Sequence, residues 1–197
     1  MREPVGVILA GGRGRRLGGA KATVRLAGAP LLDRPLSALR EALGPAAAVA
    51  VVAKGDTALP DRPGTAVWRE PDSPRHPLAG LVCALERAGG RPVLLCPVDL
   101  PFVTVKTLAR LATVPAGPSA VAVLACGPDS GLQPLLGRWE PGALTGLQQA
   151  LMRAPLPAMR ALAAGLGAVS VAVPEAELAN VNTPADLAAA QARLAGG

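Results

Sequence analysis

The chain of 197 residues has no tyrosine, and one phenylalanine and two tryptophans complete its aromatic set. Proteins that hold single-stranded nucleic acid stack bases on aromatic platforms, so that class has no footing here. Cysteine is nearly as scarce. Cys83, Cys96 and Cys126 are odd in number, scattered, and never in C-x-x-C spacing, which excludes a disulfide framework and a zinc cluster and leaves three small core residues. His76 is the sole histidine; without nearby partners it is a poor candidate ligand or base, and it stands where a chain leads into a helix at Pro77. No apolar run reaches membrane-spanning length without an Arg, Gly or Pro break, and the first ten residues carry no signal-peptide core. A soluble, cytoplasmic protein is expected.

What is abundant is aliphatic. Half the residues are apolar and 17% are charged, enough to build a core and too few charges for disorder. The net charge of +6 comes almost wholly from arginine, since only three of the 20 basic residues are lysine. Arginine suits phosphate and carboxylate, but a GC-rich composition also inflates Arg, Ala, Gly and Pro together. The charge permits an anionic ligand without naming one.

Short apolar runs alternate with helical patterns. Strands are expected at 5–10, 47–53, 65–68, 92–98, 119–125, 132–138 and 168–173. Helices are expected at 33–43, 77–87, 104–112, 142–152, 156–163 and 184–194, with Asp33, Thr104 and Thr183 as caps. Strands apolar throughout, interleaved with helices, point to a three-layer α/β fold on a mainly parallel, Rossmann-like sheet. No repeat or linker divides the chain, so one domain over 1–197 is expected. Flexible loops are expected at 114–118 and 126–131.

Two motifs carry chemistry. The first is Leu9-Ala-Gly-Gly-Arg-Gly-Arg-Arg-Leu-Gly-Gly-Ala-Lys21, directly after the first strand. Glycines let backbone amides approach a phosphate and form an anion nest, Arg13, Arg15 and Arg16 add charge, and Lys21 serves as a phosphate ligand. Neither GxxxxGK[ST] nor GxGxxG fits it. The second is Leu94-Leu-Cys-Pro-Val-Asp99-Leu-Pro-Phe102. It places a carboxylate where a buried strand ends, at the sheet edge where α/β proteins bind ligands. A lone carboxylate there suits Mg²⁺ shared with phosphate oxygens; before Pro101, Asp99 also reads as a turn residue.

Taken together, Leu9 to Lys21, Pro77-Leu-Ala-Gly80, Cys96 to Phe102, Gln133-Pro134 and Asn180-Val-Asn-Thr-Pro184 resemble the molybdenum cofactor guanylyltransferase family, in order along the whole chain. The resemblance implies a nucleotidyltransferase-type fold. It implies transfer of GMP from GTP to molybdopterin bearing molybdenum, with Mg²⁺, releasing pyrophosphate. It places Leu9, Ala10, Gly11, Gly12 and Arg13 on the nucleotide, with Gly80, and Lys21 on its phosphates. Asp99 becomes the metal ligand, and Arg16, Lys21 and Asp99 the catalytic set. Glu70, with Asp72 as its rival, falls at the acidic nucleotide contact, and Asn180 and Asn182 in the segment facing the second substrate. The same two asparagines also read as side chains closing a turn before the last helix. A molybdoenzyme chaperone or apo-enzyme is a further expected partner.

This chain departs from the family pattern twice. Ala20 stands where the pattern has an acid before the lysine, and Ala53-Lys54 stands where relatives offer an amide to the nucleotide. The alternatives left open are a molybdopterin cytidylyltransferase, another small-phosphate nucleotidyltransferase, and a non-catalytic nucleotide-binding module.

Overall fold

The computed structural model describes residues 2–11, 15–17, 19–117 and 119–196. Along the chain run β1 (Val5–Leu9), β2 (Arg25–Leu26), β3 (Ala29–Pro30), α1 (Asp33–Leu43), β4 (Val49–Ala53), β5 (Ala66–Arg69), α2 (Pro77–Arg87) and β6 (Val93–Pro97). After these come α3 (Val105–Thr113), β7 (Ala122–Gly127), β8 (Gly131–Trp139), α4 (Leu144–Leu151), α5 (Met159–Gly165), β9 (Val169–Ala172) and α6 (Pro184–Ala195). Seven strands form one sheet in the order β5-β4-β1-β6-β8-β7-β9. Every neighbouring pair is parallel except those made by β8, which runs against β6 and β7. The expected mainly parallel sheet is thus found, with one reversed strand.

Alternation along the strands sorts their side chains into two cores. Ile8, Ala10, Val51, Leu94 and Cys96 face one side, under α1 and α3 through Leu36, Leu39, Leu108 and Leu111. Val5, Val7, Leu9, Val93 and Leu95 face the other, under α2 and α4 through Leu81, Leu85 and Leu147. Three layers result. Each fully buried aliphatic contributes about 1.5–3 kcal/mol relative to exposure.

Several local expectations change. Leu32, not Asp33, occupies the cap of α1. The Asp33 carboxylate is instead drawn off by a fork from Arg62, with Nε to Oδ1 at 2.6 Å and Nη2 to Oδ2 at 2.8 Å, a bidentate pair worth more than one cap bond. The segment 126–131 is no loose loop: Cys126–Gly127 and Gly131 are paired strand residues. The Glu175 carboxylate accepts from the amides of Asp129 and Ser130, both at 3.2 Å. Helix α5 starts at Met159 rather than 156, because Pro155 and Pro157 bar an earlier start. Residues 114–117 are irregular, and Pro118 lies outside the described residues.

One element has no counterpart in the sequence reading, the β2–β3 hairpin. Its turn is Ala27-Gly28 with φ of 51° and 83°, the left-handed pair that a two-residue hairpin demands. It carries Leu26 into a small third cluster with Leu31, Val181 and Ala190, which ties the opening segment to α6.

Candidate active site

Strand β1 lies between β4 and β6. The chain leaves β1 through α1 toward β4 on one side and returns through α2 to β6 on the other. That makes the carboxyl ends of β1 and β6 the topological switch point. Leu9 pairs with Pro97 there, and the cleft above them has a volume of about 690 Å³. Leu9, Gly11, Lys54, Glu70, Arg75 and His76 line the end over β4 and β5; Gln133 to Leu136 and Ala158 to Arg160 line the end beside β8, and Asn180 also lines the cleft. Lys21 and Asp99 stand between these two ends.

Three sequence-distant segments converge at the centre. After β6 ends, the Val98 amide donates to the Leu9 carbonyl at 3.1 Å, and the Val181 amide donates to the Asp99 carbonyl at 2.9 Å. The second bond lays the segment before α6 against Asp99. Lys21 is carried in by the 3-10 turn Lys21–Thr23, pinned by fully buried Ala22. Its Nζ donates to Asp99 Oδ2 at 2.7 Å and to Asn182 Oδ1. The acid missing at Ala20 therefore leaves no unbalanced charge, since Asp99 and Asn182 meet the ammonium.

The two asparagines divide the alternatives. Thr183 and Asp186 form the capping box of α6, so Asn182 keeps its side chain for Lys21. The amides of Asn182 and Thr183 donate to Asp186 Oδ2, each at 2.9 Å. These bonds, with Lys21 nearby, hold the Asp186 carboxyl below the usual range. Asn180 does close a turn, through Nδ2 to the Leu178 carbonyl at 3.2 Å, yet it also lines the cleft.

Asp99 Oδ1 has no hydrogen-bond partner among the described residues. No group of three or more His, Cys, Asp or Glu side chains gathers there or elsewhere among them. A cation at Asp99 would draw its other ligands from water and a bound anion, which is how Mg²⁺ is held with phosphates. The donor set fits that ion and not a closed zinc centre.

Glu70 and Lys54 form the wall at the opposite end, 6% and 4% exposed. Lys54 Nζ lies 3.5 Å from Glu70 Oε2 and donates to the carbonyls of Pro71 at 2.5 Å and Pro74 at 3.2 Å. Oε2 is buried with no hydrogen-bond donor in ordinary geometry. Burial pushes the Glu70 carboxyl above the usual range, and the charges of Lys54 and Arg75 offset this only in part. Asp72 is exposed and does not line the cleft, so of the two acids Glu70 alone faces it.

Other expected residues are placed differently. Leu9 and Gly11 line the cleft, whereas Ala10 is 1% exposed and packs in the core. Gly80 sits within α2 behind Glu70; a Cβ on it would meet Glu70 Oε2 at 3.2 Å and collide with Leu9 Cδ1. Its contribution is close helix–strand approach rather than ligand contact. Arg16 is exposed on the 3-10 turn Arg15–Leu17 and does not line the cleft. Gly12 and Arg13 lie outside the described residues. His76 is the α2 cap, its Nδ1 accepting from the Leu78 amide at 3.2 Å. Sequence reasoning missed Arg75, Met159 and Arg160 as cleft residues, and only the oddity of a lysine after Ala53 pointed to Lys54. Burial pushes the thiols of Cys83 and Cys96 up, which makes neither a nucleophile. Among the described residues no helix is long and apolar enough to cross a membrane.

Comparison with known proteins agrees with this fold. Residues 6–169 match the MobA-like NTP transferase domain. The molybdenum cofactor guanylyltransferase of Cereibacter sphaeroides is 36% identical over 195 residues, 96% of each chain. That of Acidiphilium cryptum is 35% identical over 207 residues, 98% of each chain. In fold the chain resembles the molybdopterin-guanine dinucleotide biosynthesis protein A of Archaeoglobus fulgidus, with TM-score 0.78 and 21% identity, covering 98% of this chain and 99% of that one. It also resembles the 2-C-methyl-D-erythritol 4-phosphate cytidylyltransferase of Thermus thermophilus, with TM-score 0.68 and 23% identity, covering 96% and 98%.

Proposed function

Because the chain belongs to the MobA-like NTP transferase family, we propose that it transfers GMP from GTP to molybdopterin bearing molybdenum, forming molybdopterin guanine dinucleotide and pyrophosphate. The observation that carries this reading is the meeting of Lys21, Asp99 and Asn182 at the centre of a two-ended cleft. One end takes the nucleoside against Leu9, Gly11 and Glu70. The other, beside Gln133, takes the acceptor.

The reaction asks little covalent chemistry of the protein. An oxygen of the acceptor's phosphate, already ionised at neutral pH, attacks the α-phosphorus. A new P–O bond forms there as the bond to the β-phosphate oxygen breaks, and pyrophosphate leaves with the electron pair. No side chain has to remove a proton. Lys21 holds the triphosphate oxygens and offsets the repulsion between two anions. Asn182 orients Lys21, and the Val181–Asp99 backbone bond keeps the acceptor segment in register with it. Asp99 would hold Mg²⁺, which when bound would supply further charge stabilisation to the triphosphate.

Calorimetric titration of the protein with GTP, CTP, ATP and UTP in the presence of Mg²⁺ tests the base. GTP is expected to bind tightest, and a clear preference for CTP would replace the guanylyl reading by a cytidylyl one. Pyrophosphate release from GTP and molybdenum-loaded molybdopterin tests the transfer itself.

A further inference from the structure

Lys54 is a charged side chain 4% exposed on the wall of the nucleotide end of the cleft, a costly placement unless it performs a task. Its ammonium donates to the Pro71 carbonyl at 2.5 Å and the Pro74 carbonyl at 3.2 Å, and faces Glu70 Oε2 at 3.5 Å as a charge contact. At 4% exposure the ammonium is turned to these three groups, so Lys54 acts through the groups it holds. Those groups are the carboxylate at the end of β5 and the loop leading to α2. The backbone reinforces the arrangement, since the Glu70 amide donates to the Ala53 carbonyl at 3.1 Å and Arg69 Nη1 donates to the Lys54 carbonyl at 2.7 Å.

Among the described residues Glu70 is the only carboxylate lining that end. It is hemmed in by Gly11, where a Cβ would lie 2.8 Å from Oε1, and by Gly80, where one would lie 3.2 Å from Oε2. It is thus confined to one position with one oxygen turned to Lys54. An ionised carboxylate only accepts hydrogen bonds. The guanine edge that presents N1–H beside the 2-amino group is the base edge richest in donors, whereas cytosine offers an acceptor-rich one.

We propose that Lys54 is a positioning residue for base selection, holding Glu70 and the Pro71–Pro74 loop so that this carboxylate accepts from the donor edge of guanine. The proposal rests on the guanylyl reading above. Burial pushes the Glu70 carboxyl up and Lys54 opposes that rise. Without Lys54 the carboxyl stays protonated to higher pH and loses its capacity as a pure acceptor. The other groups facing Glu70 do not replace the ammonium. Arg75 is paired with Asp56 at 2.7 Å, His76 caps α2 through Nδ1, and Cys83 on α2 is a neutral thiol.

The test is the ratio of GTP to ITP affinity from pH 6 to 8, measured by calorimetry on wild type, Lys54→Met, Lys54→Arg and Glu70→Gln. ITP lacks the 2-amino group and carries the same triphosphate, so phosphate titration cancels in the ratio. Wild type is expected to favour GTP by roughly tenfold or more at every pH, the scale of a hydrogen bond to a charged acceptor. Lys54→Met should lower the ratio most at the acid end of this range and let it recover as the pH rises, because raising the pH ionises Glu70 again. Lys54→Arg should stay close to wild type, and Glu70→Gln should lose the preference at all pH values. A Lys54→Met ratio that equals wild type, or is lowered by one constant factor across the range, overturns the proposal. If Lys54→Met does not fold, an undiminished ratio in Glu70→Gln overturns it equally. A wild-type preference for CTP appears before any variant is made and overturns the guanylyl reading instead.

Discussion

The Lys21–Asp99 pair makes a counterintuitive prediction about nucleotide binding. With Nζ and Oδ2 at 2.7 Å and the side chains 18% and 17% exposed, the ammonium that should receive the triphosphate is engaged by a carboxylate. Without a divalent cation Asp99 therefore opposes the ligand twice, by occupying Lys21 and by repelling phosphate oxygens. At an effective dielectric of about 20 and a separation of about 8 Å, the repulsion alone is about 2 kcal/mol, up to about thirtyfold in affinity. Asp99→Asn should bind GTP more tightly than wild type in EDTA, by about three- to thirtyfold. With Mg²⁺ present the same variant should lose transfer by about a hundredfold or more, the usual scale for removing one preorganised charge contact. Lys21→Met should weaken binding in both conditions.

The assay pairs calorimetry in EDTA with pyrophosphate release in Mg²⁺, on both single variants and the double. Because the two groups touch, the double variant should lose much less activity than the product of the single losses, with a coupling of about 0.5–3 kcal/mol. Unfolding by heat separates structure from function: the pair is mostly but not wholly buried, so each variant should lower Tm by only a few degrees. Weaker GTP binding by Asp99→Asn in EDTA would refute the electrostatic reasoning, since it would make the carboxylate a direct nucleotide ligand. Full transfer activity in that variant with Mg²⁺ would remove Asp99 from the metal role.

Three further outcomes follow from other parts of the molecule. Gly80→Ala should push on Leu9 and Glu70 and raise the KM for GTP severalfold at little cost in kcat; an unchanged KM would free Gly80 from any link to the site. Arg138 is 1% exposed and donates to the carbonyls of Ala112, Leu111 and Val114 at the end of α3 while pairing with Glu140 at 2.7 Å. Arg138→Leu should destabilise by about 3 kcal/mol, read as a lower urea midpoint, and a shift under about 1 kcal/mol would show those carbonyls to be satisfied otherwise. Asp186, held low by its bonds, stabilises the fold above the ordinary aspartate range and ceases to do so as pH falls through its folded value. The stability gap between wild type and Asp186→Asn should therefore be widest at neutral pH and close below about pH 4; a gap constant with pH would count against it.

What the sequence disclosed, it disclosed through period and punctuation. The buried parallel strands read clearly because both faces are covered, which makes Val5–Leu9, Val49–Ala53 and Val93–Pro97 apolar without interruption. Thr104 and Thr183 were legible as caps because the hydroxyl bonds an amide within the same turn, Thr107 in one case and Asp186 in the other. Asp33 misled for the opposite reason: its partner Arg62 is 29 residues away, and no local rule sees it. The β2–β3 hairpin was missed because two-residue strands have no period, and its turn uses alanine at positive φ. The direction of β8 was equally hidden, since strand orientation is a property of connections and not of composition.

The site was legible to the extent that each piece ends a strand. Asp99 after β6 and the Leu9–Gly11 segment after β1 could be placed on one edge without knowing the sheet order. Glu70 after β5 is the same kind of residue, though it was named through the resemblance. The pairing of Lys21 with Asn182, across 161 residues, could be grouped only by resemblance, because nothing local links them. Lys54 shows the remaining gap most sharply. Read along the chain it is a departure from an expected amide; read in space it is the counter-ion of a buried carboxylate and the clasp of a loop. A buried charge costs several kcal/mol unless it is met by opposite charge and carbonyls, so a lysine there requires its acceptors to be in place. The substitution and its surroundings therefore stand or fall together, which is why its effect should be read in base preference and pH rather than in stability alone.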